Sequence, residues 1–569
     1  MRIAVAVSSG GGGVLRPLAA DGSPTGPPER AADLAAEIAA RERAQPPRWV
    51  WSAGRLHYPR LLRAGVRISQ CHDLELVESL LLGHAARHGE PRSLAAAYAR
   101  VRGVAVPDDV PDAGPAAQPS LFDATGAGTA AEPGTGSAAA AAEDIDAVVA
   151  VHRDQVRRIA AAEHPGRMAL LAAAESAGGL IAAEMAHHGL PWRADVHDRL
   201  LTDLLGPRPG GGGRHGVGLR PRRLQALADE VVAAFDGRPV NPDSPAQIVR
   251  AFRSAGVTVA SARSSVLRDV DHPAVAPLLE YKELARLHAA HGWAWLDTWV
   301  RDGRFRPEYI VGGVVSGRWA TRGGGALQIP KVLRRAVVAD PGWVLVVADA
   351  AQLEPRVLAA LAGDEAFAAA AAHGDLYAAL ADAFGGARDK AKIALLSAMY
   401  GGATGDAISL LGVLRQRFPA AAGYVEAAAR AGEAGRVVRS RLGRTCPPPS
   451  PTWRERVSGP SGGAVARSRG RFTRNFVVQA SAADWALALL AVARRRLADL
   501  ASPAPAAERP HLVFFQHDEL IVHTPKEHAD AVVAAVRAAA TEAGQLVFGP
   551  TPVVFPLEIA VVDCYADAK

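Results

Sequence analysis

Residues Trp343 to Asp364 read WVLVVADAAQLEPRVLAALAGD. The apolar run Trp343 to Val347 has the length and β-branched content of a short buried strand. It runs into a lone carboxylate, Asp349. A helical period follows from about Gln352, with Leu353, Val357, Leu358 and Leu361 on one face. Pro355 is tolerated only near a first turn, so the helix must begin just after the acid. Strand, acid, turn and helix together are one way to hold a metal-binding carboxylate at the mouth of a sheet. A strand that ends in an N-capping Asp gives the same pattern. Other segments bear on the choice.

The chain has 569 residues, room for roughly three to four domains. Apolar residues make up 49%, enough for sizeable cores. The net charge of +6 and a sequence pI near 9.4 suit a polyanionic partner without specifying one. Cys71, Cys446 and Cys564 are far apart and form no CxxC pair. Neither a zinc site nor a disulfide framework is indicated, and a reduced cytoplasmic setting is expected. The start, MRIAVAVSSGGGG, lacks the pattern of a signal peptide. No apolar run is expected to approach the length of a membrane span, so no membrane partner is expected.

Along the chain, RIAVAV and RWVWS read as strands and LELVESLLLGHAARHG as an amphipathic helix, which suggests a small α/β domain over residues 1–104. Pro107 to Ala142 is rich in Pro, Gly, Ala and Ser and cannot bury a core, so a low-complexity insertion is expected there. Helical periodicity resumes at Glu143. PRPGGGGRHGVG, Pro207 to Gly218, is read as a loop, since no strand precedes its glycines and no GK[ST] follows. LLEYKELARLHAAHGWAWLDTWV is the longest of the helices that follow, and strands are expected around Tyr309 to Val315.

Ala381 to Tyr400 is bounded by Gly385-Gly386 and Gly401-Gly402 and reads as a helix with Arg388, Lys392, Leu396 and Tyr400 at a spacing of four. Cations at a helix N-terminus oppose the macrodipole, and a bound anion would relieve the conflict. A solvated basic face is the alternative. On a second helix, Ala464 to Leu500, Arg471, Asn475 and Gln479 share a face, and such donors suit the acceptors of a nucleic-acid minor groove. HLVFFQHDELIVHT, His511 to Thr524, reads as a hairpin with His517, Asp518 and Glu519 at its turn. If the strands bearing Asp349 and Asp518 are neighbours, the two acids make a hard-oxygen clamp for two divalent cations. Cations, a triphosphate anchor and minor-groove donors together describe nucleotidyl transfer.

Over residues 165–565 the chain resembles the family A DNA polymerases. The resemblance rests on five motifs in family order: Ser316-Gly317-Arg318 with Leu327-Gln328-Ile329-Pro330; Asp349 to Arg356; Arg388, Lys392 and Tyr400-Gly401; Arg471, Asn475 and Gln479; and His517-Asp518-Glu519. It implies that Asp349, Asp518 and the Ala350 backbone hold two Mg²⁺ ions, with Mn²⁺ a possible substitute. It implies that Arg388 and Lys392 bind the triphosphate, Lys392 also protonating the leaving group, in a nucleotide site shared with Gln352 and Leu396. Glu354 and Tyr400 would exclude a 2′-hydroxyl. Arg318, Gln328, Arg471, Asn475 and Gln479 would hold primer-template DNA, and His517 and Glu519 would position the primer terminus and second metal.

The fold implied is multidomain α/β and α+β. An RNase H-like exonuclease-type domain (1–104 plus 143–160) and an insertion (105–142) precede a right-hand polymerase. The latter comprises a helical thumb and connecting region (161–308), an antiparallel-sheet palm (309–380 and 464–569) and helical fingers (381–463). The chain departs from the family pattern at Ala350, Ala351, Leu396 and Tyr377, and in a shortened Asp382 to Arg388 connection. The exonuclease carboxylates are largely missing. Val5-Ala-Val-Ser8 stands where Asp-x-Glu is usual, the second acid is replaced near His57, and only Asp144 matches, with Ala140 at its partner tyrosine position. A DNA-directed DNA polymerase with an inactive 3′–5′ exonuclease and no room for a 5′-nuclease domain is expected. It would act as a monomer on primer-template DNA and dNTPs in the cytoplasm, at the nucleoid, in repair or gap filling. A non-catalytic DNA-binding relative and a single-subunit RNA polymerase are the alternatives, and Glu354 argues against the second.

Overall fold

In the computed structural model the described residues are 1–8, 10–110, 143–209, 220–322, 325, 329–372, 374–386, 388–400, 406–500 and 508–568. Most of the Pro107 to Ala142 insertion, most of the Gly-rich loop, and Ala140, Leu327, Gln328 and Gly401 lie outside them. The chain divides into two compact units. The first comprises 1–188, 308–322 and 341–562, and the second 189–307, 323–340 and 563–569.

The first unit opens with a five-stranded sheet, β1 (Arg2–Val7), β2 (Gly13–Leu18), β3 (Glu29–Ala31), β4 (Arg48–Trp51) and β5 (Gln70–Asp73), in the order β3-β2-β1-β4-β5. β1, β2 and β3 pair antiparallel, whereas β4 and β5 run parallel to β1, so helices must cross between them. These are α1 (Leu34–Ala44) and α2 (Gly54–Arg63), followed by α3 (Leu74–His84), α4 (Leu94–Arg102) and α5 (Ile145–Ala160). Strand β1 is buried from Ile3 to Ala6, a run too continuous for a half-exposed strand.

α6 (Pro165–His188) belongs to this unit and not, as the sequence suggests, to the helical segment that follows it. Buried positions fall all around its circumference, and it packs on α2, β5 and a long C-terminal helix. Glu184 of α6 accepts from Arg494 Nη2 at 2.6 Å and Tyr58 Oη at 2.5 Å, and Arg494 also donates to the Ile68 carbonyl at 2.5 Å. Burial opposes the Glu184 charge, but Arg494 and Arg67 hold its carboxyl well below the usual range. A buried ion pair persists only when hydrogen-bonded this completely.

The other half of the unit is built on a four-stranded antiparallel sheet. After the short ribbon β6 (Glu308–Ile310) and β7 (Ala320–Arg322) come β8 (Trp343–Ala350), β9 (His511–Gln516), β10 (Glu519–Pro525) and β11 (Leu557–Val562), ordered β9-β10-β8-β11. α7 (Leu353–Ala362) follows β8. α8 (Arg388–Tyr400) and α9 (Pro419–Glu433) lead to α10 (Gly462–Leu500), which packs against α9 and α11 (Ala529–Phe548).

The second unit is mainly helical: Arg222–Ala234, Pro245–Ser254 and Val275–His291 pack around Phe235, Ile248, Phe252 and Leu278, and Ala194–Leu205 precedes them. The long helix expected here breaks at Gly292. A Cβ there would lie 2.3 Å from the His288 carbonyl, and Trp293–Trp299 starts afresh.

The expectation about apolar runs is corrected. Pro165–His188, Gly462–Leu500 and Lys526–Phe548 are each long and apolar enough to cross a membrane. Alanine-rich sequence raises their hydropathy, and the most apolar window of Gly462–Leu500 is 89% buried within the protein.

Candidate active site

β8 is longer than its apolar run suggests and carries Asp349 as its penultimate residue. The register sets Asp349 opposite Glu519 of β10 on one side and Glu558 of β11 on the other. Gln516 pairs with Glu519, so His517 and Asp518 form a two-residue hairpin turn, with His517 at φ +59°. Such tight turns need a positive φ, uncommon but tolerated for His. The Ala350 amide donates to the Asp518 carbonyl at 3.0 Å, tying strand end to turn. Asp349 and Asp518, 169 positions apart in sequence, thus stand together (518 − 349 = 169).

The Asp518 carboxyl is pushed up to about 6, first by burial and then by the charge of Asp349, with Arg318 acting against both. Two carboxylates in this state attract a cation or a proton. Among the described residues no three of His, Cys, Asp and Glu converge as a closed metal cage. A pair of hard oxygen donors with an open side fits Mg²⁺, which keeps waters and takes substrate oxygens as its remaining ligands. Glu519 is buried, and Ala350 is buried beside it.

After Asp349 the chain turns through Gln352 in the left-handed region, φ +55°, before α7 begins at Leu353 with Pro355 in its first turn, as the sequence requires. Glu354, in the first turn of α7, accepts from Arg318 Nη2 at 2.5 Å and from the Tyr400 hydroxyl at its other oxygen. Burial and Glu354 both raise the Tyr400 hydroxyl above its ordinary value. Gly317, beside Arg318, has φ +86°, and a Cβ there would lie 2.3 Å from Arg444 Nε, so this position requires glycine.

α8 presents Arg388, Lys392, Leu396 and Tyr400 along one face. Lys392 and Tyr400 are exposed and Leu396 is half-buried. Arg388 Nε donates to Asp375 at 2.9 Å, and its guanidinium lies 5.6 Å from the centre of the Tyr377 ring. Asp375 also accepts from Gln352 Nε2 at 2.9 Å. Partial burial raises its carboxyl, yet the Arg388 and Gln352 hydrogen bonds hold it at about 2. Sequence reasoning passed over Asp375. Its signal was the Gly-Asp-Leu pattern of a helix N-cap, which it supplies to Ala378.

On α10, Arg471 is exposed while Asn475 and Gln479 are half-buried, in one row. Asn475 Oδ1 is buried with no hydrogen-bond partner among the described residues, an acceptor that awaits a donor. Arg356 of α7 is fully buried and donates to the carbonyls of Ala351, Ala371, Gly374 and Val554, so it fixes the turn after Asp349 from below.

In the five-stranded sheet the acids are arranged otherwise. Asp144 is exposed and caps α5, accepting from Asp146 N at 2.9 Å. The neighbouring Glu143, which sequence reasoning missed, accepts from His57 Nε2 at 3.0 Å, the Ser52 hydroxyl and the Val7 amide. Asp73 is buried, accepting from Gly54 N at 2.6 Å and Leu76 N at 3.0 Å, and burial pushes its carboxyl to about 6.

A sequence profile of DNA polymerase family A matches residues 220–561, more than half of the chain. Relatives include DNA polymerase I of Chloroflexus aurantiacus, 28% identical over 294 residues, which are 47% of this chain and 30% of that protein. The thermostable DNA polymerase I of Thermus filiformis is 27% identical over 385 residues (60% of this chain, 43% of that one), and that of Thermus aquaticus 26% over 397 (61% and 45%). The matches thus span less than half the length of each of these relatives. The fold is shared with the POL domain of Pol1 from M. smegmatis, solved in complex with DNA primer-template and dNTP, at a TM-score of 0.70 and 18% identity over 99% of this chain and 95% of that one. Profile, relatives and fold agree: the chain belongs to DNA polymerase family A.

Proposed function

We propose that this protein is a template-directed DNA polymerase, extending a primer 3′-hydroxyl from dNTPs. The observation that carries the reading is the juxtaposition of Asp349 and Asp518, with the Asp518 carboxyl pushed up to about 6. Two Mg²⁺ ions, or Mn²⁺ in their place, would supply activation of the primer hydroxyl and stabilisation of the departing pyrophosphate. Asp349, Asp518 and the Ala350 backbone are the residues to hold them, with Glu519 buried in support. Arg388 and Lys392, at the N-terminal end of α8, bind the triphosphate, and Lys392 is placed to give a proton to the leaving group. Gln352 and Leu396 complete the nucleotide site. The Glu354–Tyr400 contact forms a wall that a 2′-hydroxyl would disturb, which favours deoxynucleotides over an RNA polymerase reading. Arg318, Arg471, Asn475, Gln479 and His517 grip the primer-template end, with Gln328 assigned by its motif alone.

The segments that carry these residues correspond to palm (309–380 and 464–569) and fingers (381–463), and the helices after His188 to a thumb. The five-stranded sheet is a degenerate RNase H-like exonuclease domain whose proofreading site is inactive. Glu143 and Asp73 spend their lone pairs on the protein itself, and Asp144 caps a helix. A monomer acting in repair or gap filling in the cytoplasm, away from membranes, fits this reading. Primer extension with Mg²⁺ tests it. Incorporation of dNTPs by the wild type and its loss in Asp349→Asn are expected. No extension by the wild type favours the non-catalytic relative, and NTP preference the RNA polymerase.

A further inference from the structure

A cavity of about 320 Å³ lies within the first unit, away from the acid pair, where the start of α6 meets the Val437 to Gly443 segment. Arg167, Arg439 and Arg441 line it against one carboxylate, Glu163. Glu163 stands 3.8 Å from Arg439 Nη1 and is largely exposed, so it neutralises little. Arg441 and Arg167 have no carboxylate partner among the described residues. Arg441 Nε is buried with no acceptor, and burial together with the charge of Arg167 disfavours the Arg441 cation. The start of α6 has no acid in its first turn and adds the positive end of a 24-residue helix.

The loop that bears the two arginines is held rigidly. Arg439 pairs with Thr445, and Ser440 N donates to the Arg444 carbonyl at 2.8 Å. Beneath it the Ser440 hydroxyl donates to Asp484 at 2.6 Å, the Arg441 amide donates to Ser481 Oγ at 2.9 Å, and the buried Arg444 bridges Asp484 and Glu175. Arg439 and Arg441 flank the buried Ser440 and are therefore preorganised, which lowers the entropy cost of binding between them. Ser481 lies about 200° around α10 from Gln479, so this loop packs on the side opposite the row that faces a minor groove. The cavity is a separate site.

We propose that this cavity binds a phosphate group, supplied either by the backbone of a DNA strand that runs past the polymerase site or by a free nucleotide or pyrophosphate. Three guanidiniums, that of Arg441 held by its Nη2 on the Phe548 carbonyl at 3.4 Å, and a helix N-terminus supply the positive charge and the forked donors that suit phosphate. The volume admits a pyrophosphate or a single nucleotide and excludes a duplex.

The test uses the full chain carrying Arg388→Gln and Lys392→Gln, in EDTA, so that the nucleotide site on α8 is silent. Its readouts need no catalysis, so failure here is distinguishable from failure of the polymerase reading. Calorimetry with inorganic pyrophosphate is expected to show binding that weakens roughly tenfold or more when Arg439→Gln and Arg441→Gln are added. With a single-stranded oligonucleotide, the slope of log affinity against log salt falls by about 1.4 for two lost phosphate contacts if a DNA strand is the source. An unchanged slope with lost pyrophosphate binding assigns the site to free nucleotides. Arg441→Lys, which keeps charge but not the planar fork, is expected to fall between the two. If the double variant melts early, Arg167→Gln, on the surface of α6, serves in its place with the same expected loss. Pyrophosphate binding left unchanged in variants that melt like the parent overturns the proposal.

Discussion

Two sheets in this protein place carboxylates near strand ends, and they do so to opposite effect. At the end of β8, Asp349 and Asp518 are brought together by strand register, and their mutual repulsion adds to burial in raising Asp518 to about 6. At the end of the five-stranded sheet, Asp73 is equally raised by burial, yet it is satisfied by two backbone amides, and Glu143 by Ser52, His57 and Val7. A carboxylate that already accepts two or three hydrogen bonds from its own fold has less to offer a metal, whereas two acids set side by side are relieved by one. Burial and pKa alone do not separate the two cases; what each carboxyl faces does, a second acid for Asp518 and two backbone amides for Asp73.

The contrast is tested most severely by chemistry. Asp349→Asn or Asp518→Asn is expected to lower primer extension by roughly 10³-fold or more, the loss of several kcal/mol of electrostatic stabilisation, while thermal melting holds or rises. Asp144→Ala and Glu143→Gln should leave extension intact, and Mg²⁺-dependent digestion of a 3′ end that disappears in Asp144→Ala would falsify the division.

The contributions of His72 and Asp518 to stability should depend on pH with opposite sign. His72 sits in the five-stranded sheet with its pKa lowered to about 4 by burial. Its native ring stays neutral while the unfolded ring takes up a proton below about 6.5. Stability is therefore lost as pH falls from 6.5 towards 4, by at most about 3 kcal/mol, and His72→Gln should flatten that slope in urea titrations. Asp518 is raised instead. Without metal, the native state binds its proton more tightly between 3.8 and about 6, so this group favours folding less as pH rises through that window. Asp518→Asn should abolish that trend.

Asp73→Ala removes an N-cap and the acceptor for Gly54 N. It is expected to cost about 2 kcal/mol of stability, read as a lower urea midpoint, with no change in extension rate per folded molecule. On the other side, Glu354→Ala frees Tyr400 and Arg318 and should raise ribonucleotide use relative to dNTPs by roughly tenfold, measured by competitive incorporation. The smallest effect concerns Asp375, which occupies Arg388 in this structure. Asp375→Asn should lower the KM for dNTP by up to about fivefold, since a half-exposed ion pair contributes no more than about 1 kcal/mol. An increase in KM would mean that Asp375 positions Arg388 and does not compete for it.

Sequence alone was enough for the local statements: strand β8 into an acid, a helix forced to start before Pro355, Arg388, Lys392, Leu396 and Tyr400 every fourth residue on α8, and a hairpin at His517-Asp518. Each depends on periodicity and backbone rules that act over a few residues. Its motifs in family order also identified the family that the profile match bears out. What it could not supply was anything set by long-range pairing or burial. It placed α6 with the wrong neighbours, because an alanine-rich helix does not say which surfaces it will cover. It missed apolar helices long enough to span a membrane, and it chose Asp144 where the hydrogen bonds centre on Glu143. It gave no hint of the Asp375–Arg388 contact or of the cavity between Arg167 and Arg441. Which side chains come near each other across 13 or 274 positions (388 − 375 and 441 − 167) is decided by tertiary packing, which fixes the distances on which electrostatics depends.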